Sequence, residues 1–227
     1  MVRFENVSRK FAPEILALSE LNFEIKDGEF VFITGPSGAG KTTILRLIIR
    51  DLIPSSGKIF LNNWEISNRK FRDIPALRRK VAMVFQDFRL LIDRTVFENV
   101  AIALELRGVK EKEITKRVKN VLELTSLSDK ANLFPAQLAG GELQRTCLAR
   151  ALVGKPEIIL ADEPTGNLDP ATSWEIIKLL TQINKMGTTV VMATHNVDIV
   201  NSLAKRVITL DKGRIVRDEK EGKYEIS

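Results

Sequence analysis

Phe30-Val31-Phe32-Ile33-Thr34, followed at once by Gly35-Pro36-Ser37-Gly38-Ala39-Gly40-Lys41-Thr42, is the stretch that decides the fold. The first five residues form a short apolar run, the pattern of a parallel strand buried on both faces. The next eight match G-x-x-x-x-G-K-[ST] in full, and Thr42–Arg50 reads as the helix that such a loop feeds. Glycine at these positions lets backbone N–H groups turn toward phosphate oxygens with no Cβ in the way. The helix N-terminus adds its positive dipole end. In this pattern Lys41 bridges β- and γ-phosphates and Thr42 places its hydroxyl on Mg²⁺. Pro36, Ser37, Ala39 and Thr43 complete the expected ATP-binding loop.

Working outward, strands are expected at Val2–Val7 and Leu21–Ile25, the second closed by the turn Lys26-Asp27-Gly28. Lys58–Leu61 and Val81–Phe85 read as further strands. From residue 88 to about 154 the chain turns mostly helical, with Ile114, Val118, Val121, Leu122 and Leu124 approximating one helical face. A helix opening near Gly141 is stopped by Gly154 and Pro156. Strands return at Glu157–Ala161, Thr189–Ala193 and Val207–Leu210, with Pro170–Lys185 as the helix between the first two. Arg214–Arg217 follows Asp211-Lys212-Gly213 as a hairpin. Alternating strands and helices predict an α/β domain with a mainly parallel sheet. One domain over 1–227 is expected, with a core of about 1–87 and 156–227 and a helical insertion of about 88–155. The charged segment 218–227 is given no role.

Asp162 and Glu163 follow four apolar residues, so both carboxylates fall at the carboxyl end of a buried strand, where ligands bind in open α/β sheets. Beside a phosphate loop, Asp162 is the candidate Mg²⁺ holder, through water, and Glu163 the candidate base for an attacking water. His195, the single histidine, lies two residues past the strand Thr189–Ala193. Gln86, at another strand end, is a candidate for the metal or the water. Asp169-Pro170 is a helix opening, with Asp as N-cap and Pro at the first position. Cys147, the only cysteine, reads as a small buried apolar residue, so no internal disulfide forms and a reducing compartment fits.

A chain of 227 residues can bury a substantial core. Its first twenty residues carry Arg3, Glu5, Arg9 and Lys10 and lack a secretory pattern. No run approaches the ~18–20 apolar residues that span a bilayer, so a soluble or peripheral protein is expected. The net charge of +6 invites nucleic acid or anionic lipid. No basic tract with interleaved aromatics supports nucleic acid. Phe71-Arg72, Arg78-Arg79-Lys80 and the basic tail suit an anionic leaflet better.

Leu138-Ala139-Gly140-Gly141-Glu142-Leu143-Gln144-Arg145 resembles the signature of ABC ATPases, usually written L-S-G-G-x-x-Q-R. Asn167-Leu168-Asp169 resembles their D-loop, Gln86 their Q-loop and His195 their switch histidine. Phe11 stands where that family puts an aromatic against adenine. The resemblance covers essentially the whole chain. It implies a P-loop NTPase with a RecA-like core, an N-terminal antiparallel β-subdomain and an inserted helical subdomain. Phe85–Val100, above all Leu90-Leu91-Ile92-Asp93-Arg94-Thr95-Val96, is similar to the cell-division (FtsE-type) branch of the family. Ala161–Asp169 fits that branch and also the branches of lipoprotein release and macrolide export.

What the resemblance implies is a homodimer that closes head to tail on two ATP with Mg²⁺. Each ATP would lie between the phosphate loop of one subunit and Ala139, Gly140, Gly141 and Glu142 of the other, with Asp169 nearby. Hydrolysis through Glu163 would reopen the dimer. It further implies an integral membrane partner of the FtsX type, which activates cell-wall hydrolases, docking near Phe88, Leu90, Leu91 and Ile92. The expected place is the cytoplasmic face of the cell membrane. One residue departs from the family pattern: Ala139 lacks the usual serine hydroxyl. A lost hydrogen bond to a charged group is worth about 1.5–3 kcal/mol, hence hydrolysis roughly ten- to a hundredfold slower. Two alternatives are a transporter ATPase for lipoprotein, lipid or drug, and a nucleotide-gated switch with negligible hydrolysis. A ribosome- or DNA-acting ABC factor generally carries two such domains or a long coiled coil, and neither fits this length.

Overall fold

A computed structural model describes residues 2–12 and 15–224. The chain opens with two long antiparallel strands, β1 (Val2–Ala12) and β2 (Ile15–Ile25). Next comes β3 (Phe30–Thr34), buried at all five positions, which leads through the glycine loop into α1 (Lys41–Ile48). β4 (Ser56–Leu61) and β5 (Trp64–Glu65) join the first pair in a four-stranded antiparallel sheet of order β2-β1-β4-β5.

A short helix α2 (Ile74–Lys80) precedes β6 (Val81–Val84). The helical stretch holds α3 (Val96–Glu105), α4 (Glu111–Leu124) and α5 (Gly140–Leu152). Then follow β7 (Ile158–Asp162), α6 (Pro170–Lys185), β8 (Thr189–Ala193), α7 (Val197–Leu203), β9 (Arg206–Asp211) and β10 (Arg214–Glu219). The second sheet runs β10-β9-β3-β8-β7-β6 and is parallel except for the β9–β10 hairpin at its edge.

Alternation along β3 shows how the layers assemble. Val31 and Ile33 face a cluster with α1 (Ile44, Leu45, Ile48) and the antiparallel sheet (Phe4, Leu18, Ile59). Phe30 and Phe32 face the opposite cluster, with Leu148 of α5, Ile176 and Leu180 of α6, and Val200 of α7. Both faces of the central parallel strands are therefore covered, which is why β3, β7 and β8 read as short apolar runs. A third cluster joins α3 and α4 (Val100, Leu104, Val118, Leu122) to the end of α5 through Ala149 and Val153.

The expected α/β architecture is present, with differences at its margins. β1 and β2 extend well beyond Val2–Val7 and Leu21–Ile25: the added part of β1 is largely polar (Ser8, Arg9, Lys10), and that of β2 opens on exposed Ile15 and Leu16, so neither shows the clean alternation of a half-buried strand. α1 stops short of Arg50, which takes a left-handed φ of 53°. Helices at 74–80 and 197–203 were not expected. Each has seven residues and buries only Leu77, or Ile199 and Val200, too little to make a period.

Candidate nucleotide site

The register of the parallel sheet brings four strand ends to one edge. Ile33 pairs with Ala193, Ala193 with Asp162, and Ala161 with Val84. The segments leaving that edge carry Gly35 to Thr42, His195, Glu163 and Gln86. Four distant parts of the sequence thus meet at the carboxyl ends of the strands.

The loop after β3 needs glycine at two positions for steric reasons. Gly35 has φ 136°, and a Cβ there would lie 2.2 Å from the Leu210 carbonyl oxygen. At Gly40, φ is 105° and a Cβ would come within 2.5 Å of Leu18 Cδ2. The loop is therefore clamped between the β9–β10 hairpin and β2. Lys41 is buried, and its Nζ donates to the carbonyls of Gly35 (2.8 Å) and Pro36 (3.1 Å). The ammonium thus curls over its own loop, 3.8 Å from Glu163 Oε1.

Thr42 Oγ1 donates to Asp162 Oδ1 at 2.9 Å. Burial raises the Asp162 pKa above its ordinary value and neighbouring Glu163 adds to the rise, while the Thr42 hydrogen bond and Lys41 oppose it. A crowded, desolvated carboxylate next to a hydroxyl is relieved by a cation. Thr42, Asp162 and Gln86 line one hollow and offer oxygen donors only, the set that a hard ion such as Mg²⁺ takes.

Glu163 has a left-handed φ of 46°, a conformation that costs a residue with a Cβ about 1–2 kcal/mol. Its N–H donates to Ala193 O at 2.9 Å, which ties the turn to the end of β8. The turn sends the carboxylate back over the loop, with Oε1 at 2.8 Å from His195 Nδ1. The His195 side chain is 67% exposed and that of Glu163 only 13%, so the imidazole lies open to solvent beside a sheltered carboxylate.

These groups border a cleft of about 490 Å³ lined by Pro36, Ser37, Gly38, Lys41, Thr42, Gln86, Glu163, His195 and Tyr224. Tyr224 comes from the charged tail, for which the sequence implies no role. Its ring is buried among Ile199, Val200 and Val207, and its backbone is held by Asn201, whose Oδ1 accepts the Tyr224 N–H at 2.7 Å. The available signal was a lone tyrosine in an otherwise charged tail. Residues 225–227 lie outside the described residues.

Other expected site residues stand apart from this cleft. Phe11 is half-exposed near the tip of the β1–β2 hairpin, with the Arg9 guanidinium 4.9 Å from its ring centre. Ala139 and Gly140 are exposed at the start of α5, and none of Ala139, Gly140, Gly141 and Glu142 lines the cleft. Ala139 has N-cap geometry (φ −70°, ψ 160°) but no side-chain acceptor. Glu142 supplies the other half of a capping box, its Oε2 accepting the Ala139 N–H at 2.9 Å. Gly141 has a packing reason of its own, since a Cβ there would lie 2.4 Å from Thr172 Cγ2. Asp169 caps α6 as expected, accepting the Thr172 N–H at 3.0 Å, and the Thr172 hydroxyl first, then that N–H, hold its pKa low.

In the segment 88–92, Phe88 and Leu90 are half-buried against the core while Leu91 and Ile92 are exposed, Ile92 at 81%. Phe88 and Arg89 both take left-handed φ, 56° and 51°. α5 grips them: Arg150 donates to Phe88 O (2.9 Å) and Arg89 O (2.6 Å), and Cys147 Sγ to Phe88 O (3.0 Å). Burial pushes the Cys147 thiol up to about 12, which leaves it inert. Fully buried Asn99 fastens the other side. Its Oδ1 accepts the Leu91 N–H at 2.8 Å, and its Nδ2 faces the Leu91, Arg94 and Thr95 carbonyls at 3.0 Å each.

Comparison with known proteins bears on the same constellation. Residues 18–166 match the ABC transporter family. The chain is 50% identical over 224 residues to the cell division ATP-binding protein FtsE of Bacillus subtilis, covering 99% of this chain and 98% of that one. With the FtsE of Mycobacterium tuberculosis it shares 47% over 225 residues, covering 99% and 98%. Among solved structures it superposes at a TM-score of 0.88, with 38% identity and coverage of 99% and 100%, on the dimeric ATP-binding cassette MJ0796 in a post-hydrolysis state bound to ADP and Pi. A glycine loop, an acidic strand end and a histidine meeting at one sheet edge, together with these likenesses along nearly the whole chain, lead to one conclusion: the chain belongs to the ABC transporter family.

Proposed function

We propose that this chain is the ATP-binding and ATP-hydrolysing subunit of a cell-division machine, working at the cytoplasmic face of the membrane. The observation that carries the reading is the row Lys41, Asp162, Glu163 and His195, with Lys41 and His195 both within 3.8 Å of one Glu163 oxygen. Lys41 and the loop amides hold the phosphates. Thr42, Asp162 and Gln86 would hold Mg²⁺, which supplies charge neutralisation at the phosphates. Glu163, held over the loop by its turn, takes the proton of the attacking water, and His195 orients that carboxylate from the open side.

Ala139 and Gly140 are exposed, and none of Ala139, Gly140, Gly141 and Glu142 lines the chain's own cleft, so they suit the ATP of a second copy. This supports a head-to-tail dimer, with Phe11 against the adenine and Asp169 near the seam. The exposed Leu91 and Ile92, beside Phe88 and Leu90, are the proposed docking point for an integral membrane partner of the FtsX type.

The test is single-turnover ATP hydrolysis with the membrane partner present, comparing the native chain with Glu163→Gln. A native rate above background that the variant loses, with ATP binding retained, supports the reading. Ala139 favours a second reading, a nucleotide-gated switch. Background turnover in both proteins while ATP still drives dimerisation selects the switch.

A further inference from the structure

Cys147, Arg150 and Gly154 lie three and four residues apart, on one stripe of α5 and its continuation. The first two hold Phe88 and Arg89. The third holds another cation: Arg107 Nη1 donates to Gly154 O at 2.8 Å. A Cβ on Gly154 would lie 2.4 Å from Arg107 Nη2, so this guanidinium lies flat against bare backbone. Other cations crowd around it. Burial, then the charges of Arg79 at the end of α2 and Arg117 on α4, push the Arg107 pKa below its ordinary value. Lys116 and Lys155 act on Glu113 in the same neighbourhood, where the Arg117 hydrogen bond is the main force lowering its pKa.

Glu113 is engaged with Arg117 at 2.7 Å. Among the described residues, Arg79, Arg107, Lys116 and Lys155 make no ion pair. Leu106, next to Arg107 in sequence, is 83% exposed.

We propose that Arg79, Arg107, Lys116, Arg117 and Lys155, with Leu106 at their rim, form a contact for the headgroups of anionic phospholipids. Converging cations, of which only Arg117 has an ion-pair partner among the described residues, suit phosphate oxygens. An exposed leucine beside them suits the boundary between headgroup and acyl chain, where a free phosphate gives it nothing to bury. The patch lies one helical turn along α5 from the segment proposed to meet the membrane partner, and its orientation toward the bilayer rests on that reading. The lipid contact would hold the ATPase flat against the membrane while the partner engages Ile92.

Vesicle co-sedimentation of the full chain, without the partner, tests the inference. Vesicles of phosphatidylcholine alone are compared with vesicles containing phosphatidylglycerol. The variant Arg79→Ser/Lys116→Ser/Lys155→Asn removes three charges and leaves the Arg107–Gly154 and Arg117–Glu113 bonds in place. Asparagine tolerates the left-handed φ of 50° at Lys155. At about fivefold per charge, the triple variant binds anionic vesicles about a hundredfold more weakly. It hydrolyses ATP in solution at the native rate, which shows that it is folded. Leu106→Ser weakens vesicle binding severalfold.

Equal binding to both vesicle types overturns the proposal, as does a triple variant that binds like the native chain. Release from the vesicles by millimolar inorganic phosphate identifies a free-phosphate site instead. Capture of a polyglutamate peptide without vesicle binding identifies an acidic protein partner instead; either result overturns the lipid assignment. Because the vesicles contain no partner protein, failure here leaves partner docking at Leu91 and Ile92 standing, and failure of partner co-purification leaves the vesicle result standing.

Discussion

Restoring a hydroxyl at position 139 has two separable consequences, each calculable from the start of α5. Ala139 already has N-cap backbone geometry, φ −70° and ψ 160°, and Glu142 already reaches back to its N–H at 2.9 Å. In Ala139→Ser the new oxygen accepts the free N–H near Glu142 and completes the capping box without moving the backbone. An N-cap serine in place of alanine is worth about 1 kcal/mol. For a chain of this size that raises the melting temperature by about 2–4 °C. The second consequence belongs to the dimer, where the hydroxyl would donate to the γ-phosphate of the opposite subunit. If about 1.5–3 kcal/mol falls on the transition state, single-turnover hydrolysis rises roughly ten- to a hundredfold. Thermal unfolding without nucleotide reads the first effect, and rapid-quench hydrolysis with the membrane partner reads the second. A more stable variant with an unchanged rate refutes the claim that Ala139 throttles turnover. A variant with neither change refutes the description of the α5 entry itself.

Two further substitutions probe the site and the segment proposed for docking. In Asp162→Asn the amide oxygen still accepts from Thr42 while the buried charge is gone, so the nucleotide-free chain gains stability and binds Mg²⁺-ATP more weakly. The folded-state pKa of Asp162 lies above its unfolded value. The penalty is therefore fully present above the folded pKa, shrinks as pH falls through the carboxylate range, and is absent below the unfolded pKa. Urea midpoints of both proteins at neutral and acid pH check this, and a gap that does not narrow on acidification contradicts it. Asn99→Ala removes the side chain that ties Leu91, Arg94 and Thr95 together, at a cost on the order of 2–3 kcal/mol. It should also weaken partner capture more than it weakens ATP binding. Equal losses of the two refute a local role.

What could be read in advance followed from signal strength. β3, β7 and β8 are buried on every residue, so each appears as an apolar run next to its chemistry, and the loop, Asp162, Glu163 and His195 could be named without coordinates. The weaker elements gave no such signal. The far end of β1 is polar, β2 opens on exposed Ile15 and Leu16 that break the alternation, and α2 and α7 are too short to show a period. Long-range contacts were also illegible. That Gly141 is packed against Thr172, that Arg150 holds the carbonyls of residues 88 and 89, and that Tyr224 reaches the cleft all depend on how separate segments dock. Asn99 shows the limit plainly: as a letter in an apolar helix it is a blemish, and in the fold it is the clasp of the neighbouring loop.

The grip of α5 on the carbonyls of Phe88 and Arg89 has a thermodynamic consequence. α5 has thirteen residues, about 20 Å of continuous helix, with exposed Ala139 and Gly140 at its start and Arg150 near its end. Nothing in the interior of α5 interrupts it, so the pose of segment 88–92, proposed for docking, and the pose of the signature move together. Linkage then runs in both directions. Whatever factor ATP-driven closure contributes to affinity for the membrane partner, the partner returns to ATP affinity in equal measure. A partner seated on Ile92 would thus set the nucleotide concentration at which the dimer closes, and ATP affinities measured on the isolated chain would describe only one half of that cycle.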